Sequence, residues 1–128
     1  MQTAVIKKIL LLGLLLAISS AWAGWVQVAQ NDSGDFYIDP ETIRKDGNLV
    51  RVWQLTDFKQ RNKEGELSRR TRTEYDCKQE RRRLLSLSTH SEPMAGGTTV
   101  ANFTPDANWN EIPPGSVSEV FLKIVCAR

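Results

Sequence analysis

Histidine occurs once in this chain, at position 90, and cysteine twice, at positions 77 and 126. That scarcity removes much chemistry before any fold is considered. A structural zinc site needs four ligands and a catalytic one needs three, at suitable spacing; two cysteines and one histidine do not show that pattern. A thiol nucleophile needs a base, and His90 is the sole imidazole. No serine sits in a nucleophile elbow. No glycine-rich phosphate loop occurs, and Gly96-Gly97 reads as a turn. The carboxylate pairs Asp35 with Asp39 and Glu74 with Asp76 lie in strand or turn contexts that give them local structural work. No catalytic residue, metal or cofactor is expected, and the chain is not read as an enzyme.

Long apolar runs are also missing, with one exception. "ILLLGLLLAI", residues 9 to 18, follows Lys7 and Lys8 and precedes Ala21-Trp22-Ala23. The run is too short to span a bilayer and has the pattern of an export signal with its cleavage site. Residues 1 to 23 are therefore expected to be a signal peptide. No cysteine follows the run, so no lipid anchor is expected, nor stable membrane insertion after cleavage. The product is expected in the periplasm or outside the cell. Residues 24 to 128 are enough for one domain with a modest core.

Removing the signal also removes the net charge. The chain has 17 Lys and Arg against 15 Asp and Glu, and Lys7 and Lys8 account for the excess. A neutral, exported domain does not suit nucleic acid. The charge is uneven, however. Residues 61 to 83 are rich in arginine, and the stretch from Asp32 to Asp46 is acidic. The candidate binding residues are Arg69, Arg70, Arg72, Arg81, Arg82 and Arg83. In that compartment they suit a sulfated or otherwise acidic glycan, or an acidic host protein; the plainer reading is a solvated face of mixed charge.

Two cysteines in an exported chain most simply form one disulfide, Cys77 to Cys126. The loop it closes makes the bond worth about 4 kcal/mol through the unfolded state. The alternative is a reactive Cys77, activated by Arg81 to Arg83 and served by His90. His90 itself, in "LSTHSEP", reads as an exposed side chain at a strand end before a turn.

Alternation of side chains predicts strands over residues 24 to 30, 36 to 38, 49 to 58, 67 to 77, 81 to 90 and 98 to 103. "DPET" predicts one helical turn after the second strand, capped by Asp39 with Pro40 at its first position. "KDGN" predicts a tight hairpin, with Asp46-Gly47 supplying positive φ angles. "KQRNKEGE" is a polar loop, the most mobile by composition. In the strand from 67 to 77, Thr73, Tyr75 and Cys77 face inward. Arg70, Arg72, Glu74 and Asp76 face solvent. Trp109 and Ile112 anchor the turn-rich segment from 104 to 115.

The last segment switches period. Ser116 and Glu119 form a capping box, and Val117, Val120, Phe121, Ile124 and Val125 share one helical face. Short links make the strands an antiparallel meander. The fold class is α+β: about six strands covered by a C-terminal helix and tied by one disulfide.

The landmarks fall in a familiar order. "GWVQVAQ" leads to Tyr37-Ile38-Asp39-Pro40, the Val52-Trp53 strand, Glu74-Tyr75-Asp76-Cys77, "WNEIPPGS" and a final helix ending in Cys126. This resembles the surface-adhesin protein E-like domain family of Gram-negative bacteria over essentially the whole of residues 24 to 128. The resemblance implies an antiparallel sheet with a C-terminal helix. It implies a non-enzymatic binding domain able to contact host extracellular-matrix or serum proteins, and a possible homodimer. Surface display of the family's named adhesin uses a lipid anchor, which this chain is not expected to carry. A periplasmic accessory role on an envelope partner is the alternative.

Overall fold

A computed structural model describes residues 24 to 127. The expected signal peptide lies outside the described residues. Seven strands and one helix follow in order: β1 Val26–Gln30, β2 Gly34–Asp46, β3 Leu49–Phe58, β4 Ser68–Asp76, β5 Arg81–His90, β6 Thr99–Phe103, β7 Asn110–Glu111 and α1 Val117–Cys126. The first six make a meander in sequence order, every pair antiparallel. The two-residue β7 pairs with the far end of β5 and is one strand more than the periodicity predicts.

Residues paired across strands share a sheet face. One face carries Ile38, Val50, Val52 and Tyr75, and α1 closes over it with Phe121, Leu122 and Val125. Each large apolar side chain fully buried there contributes about 1.5–3 kcal/mol. The helix starts where the capping pattern predicts, with Ser116 Oγ accepting from Glu119 N at 3.3 Å. The reciprocal bond lands one residue early, from Gly115 N to Glu119 Oε1 at 3.4 Å. At the other end, Cys126 is bonded to Cys77, with the two Cα atoms 5.7 Å apart. The bond fastens the cover to the β4–β5 turn and closes the reactive-thiol alternative.

The predicted helical turn at "DPET" does not form. β2 runs through it with an irregularity between Asp39 and Arg44. Asp39 does act as a local cap, accepting from Glu41 N at 3.1 Å. But Thr42 Oγ1 bonds Asp39 O at 2.7 Å and accepts from Trp53 N at 3.0 Å. A side chain thus stands in for the lost ladder bond, and the segment stays in the sheet. At the following hairpin Asp46 pairs with Leu49, so the turn residues are Gly47 and Asn48, one position later than predicted. Only Gly47 takes the left-handed backbone, with φ of 61°.

The polar loop after β3 is held more firmly than its composition suggests. Asn62 Oδ1 accepts from Glu64 N and Glu66 N, and Asn62 Nδ2 donates to Glu66 Oε1 at 2.7 Å. Arg61 reaches across to Ser91 O at 2.5 Å.

Candidate functional site

The sheet face away from α1 is where the arginines gather, and its rows follow from the register. Across β2, β3, β4 and β5 the rows read Arg44, Arg51, Glu74, Arg83; then Asp39, Trp53, Arg72, Ser86; then Tyr37, Leu55, Arg70, Ser88. Arg81 sits one row further out, opposite Asp76. A β-bulge at Leu85 lets Arg81 and Arg83, then Ser86, Ser88 and His90, all point to this one face.

The six predicted arginines therefore divide four and two. Arg70, Arg72, Arg81 and Arg83 share the open face. Arg69 pairs with Thr56 and Arg82 with Tyr75, so both point to the helix side. Arg69 lies over the Phe58 ring at 5.4 Å. The alternation in "RRR" and "RRTR" contains this division.

Glu74 and Asp76 are not the solvent-facing acids that alternation predicts. Their side chains are only 8% and 9% exposed. Arg83 Nε donates to Glu74 Oε1 at 2.7 Å, and Arg51 Nε lies 3.9 Å from the other oxygen. Arg81 Nε donates to Asp76 Oδ2 at 3.2 Å. Asp76 also accepts from Gln79 N and Lys78 N, which close the β4–β5 turn. The Gln79 bond, with help from Arg81 and Lys78, holds the Asp76 carboxyl below its ordinary range. Trp109 covers this end of the face: its ring lies 4.7 Å from Arg81 and 4.4 Å from Arg83. Ile112 packs against the core under α1. Both predicted anchors hold the 104–115 segment, one on each face.

The charges are thus layered. Carboxylates lie underneath and guanidinium groups above, with Arg51 and Arg81 each 40% exposed and Arg83 31%. Further along the face, Arg70 stacks over Trp53 at 4.9 Å. Among the described residues, neither Arg70 nor Arg72 has an acidic partner within ion-pair distance. Asp39, Asp46 and Glu111 stand at the margins.

The far end of the same face is closed by a one-turn 3-10 helix, Pro93–Ala95. Met94 N donates to Asp57 Oδ1 at 2.7 Å, Ala95 N to Ser68 Oγ at 2.9 Å, and Ser68 Oγ to Glu92 O at 2.6 Å. Met94 and Ala95 are held at φ of 58° and 60°. Such backbone persists only where its surroundings over-determine it. Burial raises the Asp57 carboxyl above its ordinary range, the Met94 bond opposes this, and the charge of Asp35 adds to it.

His90 lies under this end and is not the exposed side chain predicted. It is 7% exposed and its Nε2 is 2.9 Å from Ser88 Oγ. Burial, with the charge of Arg70, pulls the imidazole below its ordinary value. It lies on the face opposite the Tyr75 side and has no thiol to serve, because both cysteines are bonded. Among the described residues no three His, Cys, Asp or Glu side chains converge as metal ligands, and no helix is long and apolar enough to cross a membrane.

Residues 25–127 match the family described as surface-adhesin protein E. The chain belongs to the surface-adhesin protein E family. Solved structures of protein E from Haemophilus influenzae share its fold. Crystal form II superposes with a TM-score of 0.63 at 17% identity, covering 82% of this chain and 88% of that one. The protein from a non-typeable strain gives 0.59 at 17% identity, covering 82% and 76%. No curated protein sequence matches the chain. Family membership makes this an adhesin-type domain; the antiparallel sheet and C-terminal helix are as the resemblance implies, and the Cys77–Cys126 bond is as the cysteine count predicts.

Proposed function

We propose that this protein is an exported, non-enzymatic binding domain that engages a macromolecular partner through the arginine-bearing sheet face. The observation that carries this reading is the layered charge: Glu74 and Asp76 are buried beneath Arg51, Arg81 and Arg83, whose side chains remain partly exposed. Ion pairs formed only for stability do not need to leave their cations on one open face. Seated this way, each guanidinium keeps unused N–H donors and has little rotamer freedom left to lose on binding. Membership of an adhesin family supports a partner outside the inner membrane: a host extracellular-matrix protein or an acidic glycan. The alternative is a periplasmic accessory role on an envelope protein, favoured by the absence of a cysteine directly after the apolar run.

Cell fractionation followed by pull-down with the purified protein separates the two. Recovery from the cell surface or medium, with capture of a host component, supports adhesion. Material confined to the periplasm sinks direct host contact and leaves the accessory role. Self-association belongs to the same proposal. Phe103, 52% exposed, extends the row of Thr71 and Leu87 on the part of the helix-side face beyond α1. Sedimentation of wild type and Phe103→Asp tests it; identical monomers in both would end the idea.

A further inference from the structure

We propose that the partner chemistry of the open sheet face is a sulfated polysaccharide, bound across Arg51, Arg70, Arg72 and Arg83. The inference rests on the binding-domain reading above and adds to it the class of ligand.

Three features of the face point this way. The first is spacing. Arg70 and Arg72 stand two residues apart on β4, with Arg51 and Arg83 on the flanking strands, either side of Glu74. Strand geometry separates such positions by roughly 5 Å across and 7 Å along the sheet, so the cations form a two-dimensional array. A repeating polyanion meets several of them at once, and a single small anion does not.

The second is the kind of cation. No lysine stands in the central rows of this face. Guanidinium is planar, weakly hydrated and able to donate two parallel N–H bonds, which matches the oxygens of a sulfate group. The one acid inside the array, Glu74, is buried, so it seats Arg83 without offering a competing charge at the surface.

The third is shape. Hot spots for protein partners fill desolvated pockets with aromatic or aliphatic anchors. The centre of this face is a sheet surface, and the cavities described among these residues lie off it. One of 420 Å³ sits beside Gln30, Asn31 and Lys59, and one of 160 Å³ beside Leu84 and Pro105. Trp53 lies under the Arg70 guanidinium and holds that cation in place within the array.

The test is direct binding of a size-defined heparin oligosaccharide to protein purified from cells producing the full chain. Arms use the desulfated oligosaccharide and a poly-glutamate peptide of equal charge. Arg70→Ala with Arg72→Ala should weaken heparin binding at least ten-fold, since neither side chain holds an ion pair in the fold. Arg69→Ala with Arg82→Ala, on the opposite face, should change it less than two-fold. Affinity should fall steeply with salt. Equal losses from both pairs would mean unspecific charge and overturn the proposal, as would undiminished binding of the desulfated chain or tighter binding of poly-glutamate. Capture of a protein partner that neither heparin nor the Arg70/Arg72 substitutions disturb would overturn the ligand class while leaving the binding-domain reading in place. A fold check by melting temperature accompanies each variant.

Discussion

Tyr75 is the largest fully buried side chain among the described residues, and its hydroxyl donates to Gln54 Oε1 inside the core. Burial pushes the phenol above its ordinary range, with Arg82 and the Gln54 bond opposing, so it stays neutral. Tyr75→Phe removes one hydrogen-bond partner and leaves the other in place. The Gln54 carbonyl then sits in an apolar layer with nothing to accept from, at a cost of about 1–3 kcal/mol. Gln54→Leu does the reverse and strands the hydroxyl, at a similar cost. The double substitution strands neither group and fills the space with hydrocarbon. It should cost far less than the sum, giving a coupling of about 1–3 kcal/mol. Urea denaturation followed by tryptophan fluorescence measures all four proteins. Additive single losses would refute the reasoning, because they would mean that packing of the ring, and not the orphaned polar group, sets the cost.

Replacing both Cys77 and Cys126 with serine should lower stability by about 4 kcal/mol, read from the denaturation midpoint; a loss below 1 kcal/mol would show that α1 holds without its tether. His90 gives a pH dependence. Its folded-state value lies below the ordinary 6.5, so its contribution is present above that pH and is lost as the pH falls through it. His90→Gln should therefore flatten the fall in melting temperature between about pH 7 and 5, where the unfolded imidazole titrates. Gly34→Ala should destabilise by about 1–3 kcal/mol or more. Its Cβ would stand 2.2 Å from the backbone oxygen of Asp57, so β2 and β3 must part at that end. A melting temperature equal to wild type would mean the close approach is relieved without cost.

Periodicity located β3, β4 and β5 almost to the residue, because each is a long alternating run between turn residues. The helix was legible from Ser116, Glu119 and the apolar stripe, and the disulfide from compartment and count. Periodicity says which residues share a face, however, and not what lies on that face. Glu74 and Asp76 alternate like solvent-facing residues and are buried because Trp109, from more than 30 positions downstream, folds over the arginines that pair with them. His90 is buried for a similar reason: it belongs to the row of Asp57 and Ser68, the two side chains that hold the Pro93–Ala95 turn over that end. At "DPET" the local signal for a helical turn was real. Asp39 does cap, but the ladder to β3 and the Thr42 hydroxyl outweigh one isolated turn. Of the candidate site, the arginine residues were legible, and their division between faces was implicit in the alternation. Their seating on buried acids was not.

The extra residue at Leu85 changes which members of β5 share a direction. Before it the odd-numbered positions 81 and 83 look toward the arginine array; after it the even-numbered 86, 88 and 90 do. If Leu85 instead took a place in the ladder, Leu85 and Leu87 would be turned out beside Arg72 and Arg70, and His90 would lose its place beneath the Pro93–Ala95 turn. One inserted position thus lets a single strand obey two different demands, charge at one end and a closed polar seam at the other. Deleting Leu85 should therefore leave both sets of side chains on the faces they now occupy, with Leu84 opposite Thr73 and Ser86 opposite Arg72 in an unbroken strand.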